Sequence, residues 1–77
     1  MAEKDLQRFG ARVREERERL GISQEELANR AGLHRTYVGG VERGERNLGL
    51  LNLIRIARAL SVPASVLLGD VDRPAKQ

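Results

Sequence analysis

Apolar positions along this chain recur three or four residues apart, and glycines divide them into short blocks. Leu6, Phe9, Val13 and Leu20 share one face at helical spacing, which predicts a helix over 5–20 stopped by Gly21. Ser23, followed three residues later by Glu26, reads as a capping box. It opens a second helix whose Leu27, Ala28 and Ala31 form a buried stripe before Gly32. A third helix over 34–43 is anchored by Tyr37, Val38 and Val41 and ends at Gly44. The fourth, over 50–60, presents Leu50, Leu53, Ile56, Ala57 and Leu60 to the core. Pro63 suits the first turn of a short fifth helix that reaches Leu68 and closes at Gly69. No strand pattern competes with these helices. The expected fold class is therefore all-α, a compact five-helix bundle over 1–69 followed by a flexible tail over 70–77.

The middle of the chain carries the functional signal. A capped helix, a glycine turn and a second short helix make the layout of a helix-turn-helix, whose second helix enters the DNA major groove through its N-terminal residues. Arg35 and Thr36 fall in that first turn, where arginine can bond guanine O6 and N7 and threonine can meet a thymine methyl or a phosphate. Ser23 and Gln24 sit at the start of the second helix, where backbone N–H groups favour a phosphate. His34 is placed as a helix cap or phosphate contact. Tyr37 either fills the space between the second and third helices or also reaches DNA with its hydroxyl. Arg43, Arg46 and Asn47 follow the third helix and are positioned to grip the flanking backbone. For each of these the competing reading is an ordinary solvated side chain. Gly39 and Gly40 are unexpected inside a helix, at about 1 kcal/mol each relative to alanine. Close approach by the second helix or by DNA would explain them, and so would plasticity.

Two charges interrupt apolar stripes. Arg17 lies between Val13 and Leu20, and Glu42 lies four residues after Val38. Buried charges need partners, so an Arg17–Glu42 ion pair is expected to tie the first helix to the third, unless both side chains curl outward. The fourth helix also has more apolar surface than one core face uses. Leu48, Leu51 and Ile54, with Val62, Val66 and Leu67 nearby, would form a dimer seam. A two-fold dimer would set two recognition helices about 34 Å apart on a palindromic site. The alternative is that the fifth helix covers this surface within one chain.

Composition narrows the classes. With 77 residues and no cysteine, the chain forms one small domain whose core is aliphatic, because Tyr37 and Phe9 are its only aromatics. Fourteen Lys and Arg against eleven Asp and Glu give a net charge of +3, modest support for a nucleic-acid partner. A single histidine, with no cysteine, offers no metal site and poor material for acid–base chemistry, so neither an enzyme nor a cofactor is expected. No apolar run approaches a membrane span and the N-terminus lacks a secretory segment, which places the protein in the cytoplasm, on the nucleoid when bound to DNA.

The stretches SQEELANRAGL and HRTYVGGVERGERN resemble the Cro/C1-type, or XRE, helix-turn-helix family, and their wording is most similar to the controller proteins of restriction–modification systems. The resemblance spans about 9–68. It implies a lambda-repressor-like five-helix domain that binds double-stranded operator DNA as a homodimer, represses by occlusion, or activates by touching RNA polymerase. It also implies that Gln24 and Arg43 contact backbone, that Arg35 and Thr36 read bases, and that Arg17 and Glu42 form a buried pair. Gly40 departs from the family by replacing a frequent base-reading side chain, which shifts the burden to DNA shape and to the arginines. Leu48 and Gly49 replace a proline and a hydroxyl residue before the fourth helix, which puts its N-cap in question. A second function is compatible with the same fold: an antitoxin, or another partner-binding module.

Overall fold

The computed structural model describes residues 3–69 and 71. Five helices follow in order: α1 (Lys4–Leu20), α2 (Gln24–Ala31), α3 (Arg35–Glu42), α4 (Leu50–Ala59) and α5 (Ala64–Leu68). The described residues contain no strand. The expected boundaries lie within one or two residues of these.

Local chemistry sets the breaks. Ser23 Oγ accepts from the Glu26 N–H at 3.0 Å, satisfying one orphan donor at the start of α2. The reciprocal half of the expected capping box is replaced, since Glu26 accepts from Arg30 Nε at 2.8 Å one turn later. Gly32 adopts φ 71°, a left-handed conformation that a Cβ would strain. Its turn lets Leu33 N–H reach Ala28 O at 2.9 Å and folds Leu33 against the core. α3 opens at His34, which stands at the N-cap position without a side-chain cap bond. Gly49 occupies the same position before α4, also without one.

α1 packs on α3 and α5, α2 packs on α3 and α4, and α4 packs on α5. Their shared core is Phe9, Val13, Leu27, Ala28, Ala31, Val38, Val41, Ile56, Ala57, Leu60 and Leu67. Periodicity misplaced three leucines. Leu50 is 69% exposed, because the first turn of α4 overhangs the core and only rims a groove against α1. Leu20 is exposed, and Ile22 beyond Gly21 packs against the core. Leu67 is completely buried within the bundle, so it belongs to the core and offers nothing to a dimer seam. The expected tail lies outside the described residues at 70 and 72–77; Val71 packs against the core.

Among the glycines, the tightest site is Gly10, in the middle of α1. A Cβ there would stand 2.2 Å from Val41 O and 2.6 Å from Glu42 O, so the end of α3 lies directly on the glycine. This contact sets how α3 is mounted. Among the described residues no helix is long and apolar enough to cross a membrane.

Candidate nucleic-acid interface

α3 buries Val38 and Val41 and turns its other side outward. Arg35 and Thr36 in its first turn are exposed, as is His34 before it. Ser23 is exposed at the start of α2, while Gln24 is half-buried. Arg43, Arg46 and Asn47 are exposed on the α3–α4 loop. Arg43 Nη1 and Gln24 Oε1 both stand over Gly39, so the start of α2, the outer side of α3 and the loop meet there.

Beneath this surface lies an ionic joint. Arg17 Nε donates to Glu42 Oε2 at 2.6 Å and Nη2 donates to Oε1 at 3.1 Å, a two-bond fork. Arg17 Nη1 also donates to Ile22 O at 2.9 Å, and Gln24 Nε2 donates to Glu42 Oε1 at 3.0 Å. The Glu42 side chain is only 4% exposed. Its hydrogen bond to Arg17 raises the arginine pKa above the usual value against the desolvation that lowers it, with the nearby charges of Glu42 and Glu18 adding to the rise. The joint ties α1, α2 and α3 together immediately behind the outward surface. Gln24 is thus anchored to the core on one side of its amide, which its expected role at a phosphate did not anticipate.

Tyr37 is also tied to α4, an element the sequence reading did not connect it with. Asn52 Nδ2 on α4 donates to the Tyr37 hydroxyl at 3.2 Å, and the ring packs against the core. The hydroxyl proton is not used in that bond, so it remains a donor. Asn52 was not legible as a site residue, because an asparagine in an apolar helix carries no positional signal. Glu16 was missed because one glutamate among the many charges of the first helix carries no sign of burial. It is buried on α1 and accepts from Arg12 Nε at 3.2 Å.

Charge is distributed unevenly over the molecule. On α1, Arg8, Arg12, Arg14 and Arg19 lie beside Asp5, Glu15, Glu16 and Glu18. Arg30 is paired with Glu26. On the outward side of α3 and the loop after it, Arg43 pairs with Glu45 at 3.2 Å, whereas Arg35 and Arg46 have no acidic partner within 4.0 Å among the described residues. A modest net charge therefore yields locally uncompensated arginine around the start and end of α3, which suits a phosphate-lined groove. Among the described residues no group of His, Cys, Asp and Glu side chains could hold a metal ion.

Comparison with known proteins agrees with this geometry. A family model described as helix-turn-helix matches residues 13–67. The chain is 52% identical over 56 residues to Control protein C.SmaI of Serratia marcescens, covering 73% of this chain and 67% of that protein. It is 46% identical over 61 residues to Control protein C.BamHI of Bacillus amyloliquefaciens, covering 78% and 75%. Its structure matches that of the restriction-modification controller protein C.AhdI from Aeromonas hydrophila with a TM-score of 0.83 at 51% identity, covering 84% of this chain and 98% of that one. The chain belongs to the Cro/C1-type helix-turn-helix family of DNA-binding transcription regulators.

Proposed function

We propose that the protein binds a palindromic operator as a homodimer and controls transcription in the manner of a restriction–modification controller, in the cytoplasm. The observation that carries this reading is the exposed first turn of α3, with Arg35 and Thr36 free to enter a groove while the same helix is clamped to the core by Glu42. Arg43, Ser23, His34 and Asn47 flank that turn and would hold the backbone on either side. Bound over a promoter the dimer would occlude RNA polymerase, and bound upstream it would touch it.

Leu51 is 68% exposed on α4, beside half-buried Ile54, Leu48, Val62 and Val66. This apolar area supports a seam between two copies that no longer includes Leu67. Leu51→Glu is expected to leave helix content unchanged and to weaken self-association at least about tenfold, because a desolvated carboxylate disfavours the contact. Sedimentation velocity reads the outcome; a dimer of unchanged strength would remove Leu51 from the seam.

Selection of bound duplexes from a random pool at physiological salt tests the whole reading. Enrichment of a palindrome with half-sites about one turn apart is expected. A folded protein that enriches nothing would overturn it. On the selected site, Arg35→Ala should cost about 1–3 kcal/mol and relax preference at one base pair. Arg43→Ala should weaken all sequences alike and reduce the salt slope by about 1. Uniform weakening by Arg35→Ala would show that Arg35 does not read a base.

A further inference from the structure

We propose that Asn52 and Arg55 of α4 fix the direction of a hydrogen-bond chain that makes Tyr37 a donor, not an acceptor, toward DNA. The inference rests on the reading of α3 as the DNA-facing helix, with the Tyr37 hydroxyl within reach of the duplex. It adds that α4, without touching DNA itself, decides which groups Tyr37 can meet. Tyr37 follows Thr36 at the start of α3 and is half-buried, as is Asn52, while Arg55 is exposed.

The chain starts at a group that can only donate, since a guanidinium carries N–H donors and no acceptor. Arg55 Nη1 donates to Asn52 Oδ1 at 3.4 Å, so the side of the amide that faces Arg55 must be its oxygen. The amide nitrogen is thereby turned the other way, where Nδ2 donates to the Tyr37 hydroxyl at 3.2 Å. A phenol oxygen that accepts from the bundle keeps its single proton for a partner elsewhere. No other hydrogen bond engages this hydroxyl among the described residues. Arg46 folds back over Gly40, where a Cβ would stand 3.0 Å from its Nε. Its guanidinium carbon lies 5.6 Å from the centre of the Tyr37 ring, within cation–π range. The phenol is thus covered on one face by the loop and tethered at its oxygen by α4.

Direction changes what Tyr37 can accept as a neighbour. A free hydroxyl donates and accepts, and so tolerates either kind of group. Conjugation with the ring leaves a phenol oxygen only modest acceptor capacity, and Asn52 takes it up. Phosphate oxygens, guanine O6 and N7, and thymine O4 then fit, whereas the amino groups of adenine and cytosine do not. A donor facing a donor leaves both unpaired in a desolvated contact, which is how a polar site rejects the wrong group. Asn52 and Arg55 are therefore positioning residues, and both act through the direction of one proton.

The test reverses the chain from either end. Asn52→Asp supplies a carboxylate that accepts from Arg55 and from the hydroxyl, so the Tyr37 proton turns inward. Arg55→Glu, at an exposed position where folding is not at stake, accepts from the amide, flips it and presents its oxygen to the hydroxyl. Both are compared with wild type, with Tyr37→Phe and with the two double variants that add Tyr37→Phe, by random-pool selection and by titration of the wild-type site. Each reversal should weaken that site about three- to tenfold, as Tyr37→Phe does, with a melting temperature within a few degrees of wild type. In the Tyr37→Phe background most of that loss should vanish, which separates proton direction from the repulsion that a new negative charge exerts on DNA. The pool tells the two acceptors apart, and either result upholds the donor. A base acceptor gives Asn52→Asp a new preference, at one base pair, for a base presenting an amino group; a phosphate acceptor weakens all sequences alike. Wild-type affinity in both reversals, or losses equally large in the Tyr37→Phe background, would overturn the proposal. If wild type selects a palindrome while these outcomes fail, the regulator reading survives; if wild type selects nothing, both fall.

Discussion

Replacing Gly10 with alanine is expected to cost about 3 kcal/mol or more, enough to leave a domain of this size largely unfolded near physiological temperature. Helix propensity argues the other way, since alanine is favoured over glycine by about 1 kcal/mol in a helix interior. The clash decides the sign. The new methyl would meet Val41 O, Glu42 O and the Glu42 carbonyl carbon, all at 2.8 Å or less and all backbone. No side chain can rotate away, so α1 and α3 must separate and lengthen the Arg17–Glu42 fork as they do. Gly49→Ala is the matched control, because nothing lies within 4 Å of a Cβ there. Thermal unfolding followed by circular dichroism should show Gly10→Ala melting at least about 12 °C below wild type. A melting point within a few degrees of wild type would mean that the helices part more easily than their packing implies. Because the contact lies at the end of α3, a variant that did fold would also present a displaced α3 and, on the function proposed above, bind DNA more weakly.

Glu42→Leu is expected to cost about 3–5 kcal/mol. The substitution strands the Arg17 guanidinium, whose side chain is 13% exposed, and removes the acceptor of the Gln24 amide. Arg17→Met strands Glu42 instead and should cost a similar amount. The Arg17→Met/Glu42→Leu double variant should be more stable than the sum of the two losses implies, by at least about 1 kcal/mol, because neither charge is then left alone. Urea denaturation of the four proteins reads this coupling, and strictly additive losses would deny it. The pair also has a pH signature. Arginine's folded pKa is raised, so its share of the stability is fully present below the ordinary arginine value and is lost only as pH rises past the raised one. Stability should therefore show no arginine-linked fall between neutral and moderately alkaline pH.

Both predictions concern how α3 is mounted, and they differ in how legible they were. The Arg17–Glu42 pair announced itself as two opposite charges on apolar stripes of helices that a helix-turn-helix domain brings together. Gly10 gave no comparable sign, since a lone glycine within an amphipathic stretch is equally compatible with solvent. Leu50 and Leu51 illustrate the same limit. The stripe placed one inward and one outward, and both are about two-thirds exposed, at 69% and 68%. A periodic pattern reports which side of a helix is apolar but not how far the neighbouring helices extend to cover it.

What the sequence by itself determined is therefore local and short-ranged. The capping hydroxyl at Ser23, the left-handed glycines at 32 and 44, and repeats of three and four residues dictate five helices and the order of their turns. They also place Arg35 and Thr36 in the exposed first turn of α3. Only the tertiary structure decided the seam between α1 and α3 at Gly10, the burial of Glu16 and Leu67, the tether from Asn52 to Tyr37, and the return of Arg46 over Gly40. The physical reason is common to all of these. Each depends on atoms from distinct elements occupying or vacating the same few cubic ångströms, and propensity and periodicity carry no record of that shared space.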